Sequence, residues 1–338
     1  MSEALEVFRF LQLVVFGSLG LVALLQYRKR GGDQARWVAA TFGSLALVVV
    51  AGRFLPAESE ALLAVVARRL LIAVLVLFPF FLYQFMRSFS SPPGWLNATA
   101  TVLTAGVVAG GVILDLPAAG QASSPIVRGY TYALLFQWAF LSGVVAFRLW
   151  RAGSKQPTVS RRRMRTLSLG SLSMAFALVI AGYPQANSVT QLTTQVLALA
   201  SAPLFLLGFA PPGIVRMLWR RPEGTALREV EQKLMRAETQ AEVAEHLLPQ
   251  IARLFGGRGA LITNAESGIV GNFGFDEAEA SEIAVRLPET PGVGDFMLSH
   301  EESQLRVPLE SGWMVIEASQ FSPFFGGEEV EILKSVSV

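Results

Sequence analysis

The stretch "LGFAPPGIVRMLWRRPEGTALREVEQKLMRAE" occupies residues 207–238 and divides the chain in two. It begins apolar, stops at Pro211 and Pro212, passes through Arg216, Arg220 and Arg221, and then alternates charges with apolar residues. Adjacent prolines offer no backbone N–H and disfavour the helical conformation in the residue before them, so a helix arriving here ends or kinks. The basic cluster that follows, with Trp219 in its midst, has the composition of a segment lying against lipid headgroups.

Working outward, the two sides differ in kind. The 338 residues are 52% hydrophobic and only 16% charged, against roughly 25% charged in an ordinary soluble domain, and mean hydropathy is +0.46. Up to Pro222 the chain holds 20 Lys and Arg against 6 Asp and Glu; after it, 8 against 20. A near-neutral total therefore hides a basic, apolar part and an acidic part.

Seven apolar stretches approach the ~20 residues that cross a bilayer, at about 5–26, 37–55, 62–86, 96–114, 127–149, 167–183 and 188–209. The first has no small-residue cleavage site and is long enough to span, so it reads as a retained helix. One set of connecting loops carries twelve basic residues, from Arg28, Lys29 and Arg30 to the run Arg161, Arg162 and Arg163. The other set carries Arg68, Arg69 and Arg128. The excess predicts the N-terminus outside and everything after Phe209 in the cytoplasm of a bacterial inner membrane.

What is missing removes several functions. There is no cysteine, hence no thiolate metal site, and both histidines, His246 and His300, lie after the junction, so the bundle has no histidine for haem or metal. Lys29, Lys155, Lys233 and Lys334 all fall outside the spans, which rules out a retinal Schiff base. The span centres carry amides at most, Gln137 and Gln195, where an ion pump places ionisable groups. No cofactor, no metal and no nucleic-acid partner is expected; the lipid bilayer is.

One cluster in the bundle invites a ligand. Arg53, Arg68, Arg69 and Arg128 fall near the outer ends of spans two, three and five, in the layer of Asp115, Glu58 and Glu60. Guanidinium groups so placed can hold a carboxylate or phosphate of an unknown small molecule. Snorkelling to headgroups, or pairing with those three acids, is the commoner use of such residues.

Beyond the basic cluster, Leu227, Val230, Leu234, Ala237, Ala241, Ala244, Leu248, Ile251 and Phe255 follow one another at alternating spacings of three and four. That pattern makes a seam for a partner. Pro249 interrupts it, and Thr239-Gln240-Ala241-Glu242 is a capping box able to start a new helix. A dimeric linker helix that ends near Ala237, followed by a separate helix over 240–255, satisfies both observations. The linker is then 211–238, with Pro211, Pro212, Leu227, Val230, Leu234 and Ala237 as its signalling positions, and a homodimer forms through it.

After that helix, short apolar strands are expected at 260–264 and 269–273, a helix from Asp276, strands at 304–309 and 313–318, and a helix from Glu328. This is an α+β layout around one antiparallel sheet. The order "TQAEVAEHLLPQIARLFGGRGALI", the paired strands "LRVPLESGWMVIEA" and the ending "FSPFFGGEEVEILKSV" resemble a GAF domain over 239–338. Seven spans (1–210), a linker and a GAF-like domain, in that order, resemble the input part of bacterial, particularly actinobacterial, membrane sensors. The resemblance implies a closing helix longer than "EILKSVSV" and an output domain beyond residue 338, a histidine kinase in preference to a diguanylate cyclase. It also implies a pocket, for which the aromatic candidates are Phe273, Phe275, Phe296 and Trp313; such residues are more often plain core.

No catalytic motif occurs in the chain itself. The glycines at 268, 271 and 274 lack the Walker lysine, and Glu245-His246 with Pro249 does not match a phosphoacceptor box. The expected protein is an all-α seven-helix membrane bundle followed by a soluble α+β domain, with a sensory function. A transporter or channel with a regulatory domain is the alternative.

Overall fold

The computed structural model describes residues 2–54, 62–114, 124–154, 158–182, 188–209, 211–212, 214–215, 218–219, 239–255, 257–264, 268–288, 297–299, 304–309 and 312–318. The chain forms two compact units. One is Met1–Gly153 with Arg163–Pro211, the other Ser154–Arg162 with Pro212–Val338.

The first unit contains α1 (Ser2–Arg30), α2 (Asp33–Phe54), α3 (Leu62–Arg87), α4 (Gly94–Ile113), α5 (Pro125–Gly153), α6 (Thr158–Ala181, whose first residues fall in the second unit) and α7 (Ser188–Phe209). Each is long and apolar enough to cross a membrane. The shortest, α4, has 20 residues, about 30 Å at 1.5 Å per residue, which matches the hydrocarbon core. The outer surface points to the same solvent: Phe10, Val102, Phe136 and Phe147 are 64%, 71%, 60% and 64% exposed, an arrangement that water would penalise and lipid does not.

Lipid is as apolar as leucine, so hydrophobic burial does little to hold such helices together; close packing and hydrogen bonds across helices do it. Two devices are visible. An aromatic core joins α2, α3, α5 and α7: Phe42 meets Phe205 and Phe209 at ring-centroid distances of 5.2 and 4.8 Å, Phe78 stacks on Trp138 at 5.1 Å, and Phe85 meets Phe209 at 4.8 Å. The run "SLGSLS" of α6 supplies the second. Ser168 Oγ donates to the Ala146 carbonyl (2.9 Å) and Ser171 Oγ to that of Ser142 (3.2 Å), both on α5, while Ser173 Oγ donates to that of Leu197 (2.8 Å) on α7. Between α1 and α2, Gly31 and Gly32 take φ of 62° and 84°, a left-handed turn that reverses the chain within two residues and that glycine adopts without steric cost.

The second unit contains α8 (Gln240–Phe255), β1 (Gly257–Asn264), β2 (Ile269–Phe273), α9 (Glu277–Val285), β3 (Met297–Ser299), β4 (Gln304–Leu309) and β5 (Gly312–Ala318). The strands form one sheet in the order β2-β1-β5-β4-β3, with every pair antiparallel. Strand β5 lies at its centre and is covered on both sides. Met314, Ile316 and Ala318 join Leu248, Ile251 and Phe255 of α8 on one face, and Trp313 and Val315 join Ala280, Ile283 and Ala284 of α9 on the other. Successive strand residues point to opposite faces, so a nearly unbroken apolar strand fits a helix-sheet-helix sandwich.

Helix α8 starts where the capping box places it: the Glu242 N–H donates to Thr239 Oγ1 at 3.2 Å. Its seam residues Ala244, Leu248, Ile251 and Phe255 are buried against the sheet, so past Thr239 the three-four spacing serves the domain's own core. Pro249 does not stop the helix. The carbonyl it deprives of a donor belongs to Glu245, which is exposed and open to water. Gly271 of β2 lies tightly against α8, since a Cβ there would collide with Cβ of Ala244. The expected helix from Glu328 lies outside the described residues.

Candidate functional site: the junction clamp

Helix α7 ends at Phe209, two residues before Pro211. In a continuing helix the N–H of residue 212 would serve the Gly208 carbonyl; proline has none to give. The missing donor comes from α6. Arg163 Nε donates to the Gly208 carbonyl at 3.0 Å, and its Nη2 to that of Phe209 at 3.3 Å. A cation at this position also complements the negative end of the helix dipole.

Steric fit makes the contact possible. A Cβ at 208 would overlap the side chain of Leu167, itself 1% exposed, so only glycine lets α7 come this close to α6 there. Arg163 is half-buried, and Met164, the next residue of α6, is 1% exposed. Residue 163 is where the chain re-enters the bundle unit and residue 211 is where it leaves. The guanidinium thus joins α6 to the last residues of α7. In the sequence the run at 161–163 counts only towards topology, because the pairing rests on a partner 45 residues away. The available signal was Pro212, whose missing N–H requires a donor from elsewhere.

A second polar group sits near the middle of the bundle. Gln137 of α5 is wholly buried; its Nε2 donates to the Val76 carbonyl of α3 at 3.1 Å and contacts Thr104 Oγ1 of α4 at 3.2 Å. Pro79 of α3 removes the helical donor to Leu75, the neighbouring carbonyl, so this amide braces a proline-weakened segment. Gln137 Oε1 has no hydrogen-bond partner among the described residues.

The four arginines proposed for an anionic ligand are spread over three helices. Arg53 lies in the last turn of α2 and Arg128 in the first turn of α5, both exposed. Arg68 and Arg69 are half-buried on α3, and Arg69 Nη1 donates to the Val112 carbonyl at 3.0 Å. It therefore caps α4, as Arg163 caps α7. Asp115, Glu58 and Glu60 lie outside the described residues.

Of the proposed pocket aromatics, Phe273 packs against the α8 side of the sheet, whereas Phe275 and Trp313 belong to the α9 side. The sheet separates them; Phe296 lies outside the described residues. Trp313 Nε1 donates to the Pro288 carbonyl at 2.9 Å. Phe275 is roofed by Arg258, 5.5 Å above its ring, and that guanidinium also bonds Glu279 and, at 2.8 Å, Glu317. Partial burial works to lower the Arg258 pKa, but the hydrogen bonds and charges of Glu317 and Glu279 outweigh it and hold the group above its ordinary value. The resulting tie fastens α9 to β1 and β5.

Pro211 is half-buried and Pro212 exposed; Leu227, Val230, Leu234 and Ala237 lie outside the described residues. His246 is exposed on α8. Among the described residues no group of three His, Cys, Asp or Glu could hold a metal ion. No family model matches the chain, and comparison with curated proteins and with solved structures found no match either.

Proposed function

We propose that the chain is the input section of a bacterial membrane signalling protein, in which the bundle responds to a ligand or to the state of the bilayer and the α+β unit relays the response. The observation that carries this reading is the Arg163 clamp. It stands at the end of the last bundle helix, it joins α6 to α7 through the hydrogen bonds of one guanidinium to Gly208 and Phe209, and it lies just before Pro211 and Pro212. On this reading the contact has an engaged and a released state, and a change in packing between α6 and α7 biases one over the other.

The GAF-like resemblance supports the relay role through the order of its elements: an opening helix laid on an antiparallel sheet. On this reading the basic end of the bundle and the α+β unit share the cytoplasmic side, the linker joins two copies, and the output is a histidine kinase or a diguanylate cyclase. The test is amide hydrogen exchange over α8 in nanodiscs of thin and thick bilayers. The reading predicts a thickness-dependent change in protection at 243–255 that Arg163→Ala abolishes. Identical protection in both bilayers, together with no response to any soluble ligand screened, overturns it.

A second reading, a transporter or channel with a regulatory domain, is favoured by the Gln137 and Pro79 pair, since carriers place polar groups and broken helices near the membrane midplane. Solute flux into proteoliposomes, absent from Gln137→Leu, would establish it.

A further inference from the structure

The turn between α3 and α4 brings together two arginines that have no acidic partner. Helix α3 ends at Arg87, the chain turns through Ser88, Phe89 and Ser90, and α4 begins at Gly94. Arg148, near the end of α5, reaches this turn, where its Nη1 donates to Ser90 Oγ at 3.3 Å. Arg87 Nη1 donates to Gln84 Oε1, one turn back along its own helix, at 2.8 Å. Both guanidiniums act electrostatically on the Tyr83 hydroxyl, which places the two charges in one neighbourhood.

These contacts leave the charges uncompensated. A guanidinium has five N–H donors; each of the two bonds a neutral oxygen, and neither pairs with an acid among the described residues. Arg148 is moreover half-buried, and a charge drawn out of water calls for a counter-charge. Arg163 and Arg69 of the same unit are bonded to carbonyls at the ends of α7 and α4, whereas Arg148 has the Ser90 hydroxyl, which accepts from it and keeps its own O–H to offer. Two guanidiniums and a hydroxyl so placed are the donor set that phosphate oxygens take.

The surroundings indicate which phosphate. Trp95 in the first turn of α4 and Trp150 near the end of α5 are both exposed, as indoles at the level of lipid headgroups are. From Trp95 the helix runs on to the exposed Val102, about 10 Å further along its axis. A soluble anion has no use for that apolar surface; a lipid with its phosphate at the turn lays a chain along it. The rest of the headgroup is constrained by charge as well. The ammonium of phosphatidylethanolamine calls for a carboxylate, and Asp33, the one acid at this end of the bundle among the described residues, pairs with neither arginine. A glycerol headgroup needs none.

We propose that Arg87, Ser90 and Arg148 form a site for the phosphate of one anionic phospholipid, phosphatidylglycerol in preference to phosphatidylethanolamine, with an acyl chain along α4. This assignment goes beyond the signalling reading and stands whether or not the chain signals.

The experiment is native mass spectrometry of the full chain in detergent, titrated with phosphatidylglycerol and with phosphatidylethanolamine of identical acyl chains. The first phosphatidylglycerol is expected to bind more tightly than the first phosphatidylethanolamine and to resist a large excess of inorganic phosphate. Arg148→Gln and Arg87→Gln each weaken it by about fivefold, the effect of one cation near an anionic surface. Arg165→Gln, which removes an exposed arginine of α6 at the same end, leaves it unchanged. Equal affinity for the two lipids, displacement by inorganic phosphate, an equal loss in Arg165→Gln, or unaltered binding in either of the other glutamine variants overturns the proposal. Arg87→Gln, at an exposed position, decides the outcome if Arg148→Gln fails to fold.

Discussion

Replacing Arg163 by alanine removes both donors from the end of α7 at once. Gly208 then keeps a carbonyl that Pro212 cannot serve, and Phe209 loses its bond as well. A hydrogen bond from a charged group contributes about 1.5–3 kcal/mol. Here one bond is long, at 3.3 Å, and Arg163 is only half-buried, so about 1–2 kcal/mol for the pair is the reasonable figure. That corresponds to a factor of roughly 5–30 in a local opening equilibrium. Amide exchange in the last turn of α7, at 206–209, reads this opening directly. Exchange there should accelerate by that factor in Arg163→Ala, by less in Arg163→Lys, which restores a single donor without the fork, and not at all in α9 of the other unit. Acceleration below twofold in the alanine variant would show that the guanidinium holds nothing and would refute the clamp.

Three other perturbations have calculable outcomes. Thr239→Ala removes the cap of α8 and should lower the stability of the α+β unit by about 1 kcal/mol, read as a shifted midpoint in denaturant, whereas an unchanged midpoint would mean that the Thr239 bond to Glu242 adds nothing. Gly271→Ala forces a methyl group against Ala244 at the heart of the α8 interface and should cost about 1–3 kcal/mol, visible as earlier thermal proteolysis within 240–318, with the bundle unaffected. Gln137→Leu deletes the bond to Val76 and the contact with Thr104; bonds of this kind within bilayers average about 0.6 and reach about 1.7 kcal/mol, so detergent-induced unfolding should ease by that amount and exchange near Pro79 should rise.

Legibility in the sequence followed the length scale of each signal. The spans were readable because twenty apolar residues cannot be disguised: the third was expected at 62–86 and is Leu62–Arg87, the seventh at 188–209 and is Ser188–Phe209. The sixth was expected from 167 and begins at Thr158, because its first turns carry four arginines between 161 and 165. Hydropathy reports where lipid begins, and the helix continues past that boundary. The hairpins followed from alternation and from the turns between them, yet β1 begins at Gly257, in a glycine-rich start with no pattern to read. Strand β3 was missed since three residues carry no periodicity. The clamp, the Gln137 brace and the division of Phe273 from Phe275 and Trp313 by the sheet all depend on which residues meet across long sequence separations. A single sequence encodes those meetings only through needs left unmet, such as the donor lost at Pro212.

The absence of cysteine makes the most direct test of transmission a reversible one. Leu167→Cys with Gly208→Cys places two thiols where α6 and α7 touch, so oxidation locks the helices together and reduction frees them. With exchange over α8 measured in thin and thick bilayers, the account predicts a thickness response in the reduced protein, its loss on oxidation and its return on reduction. The same response in both redox states would contradict the claim that the junction passes the state of the bundle to the α+β unit.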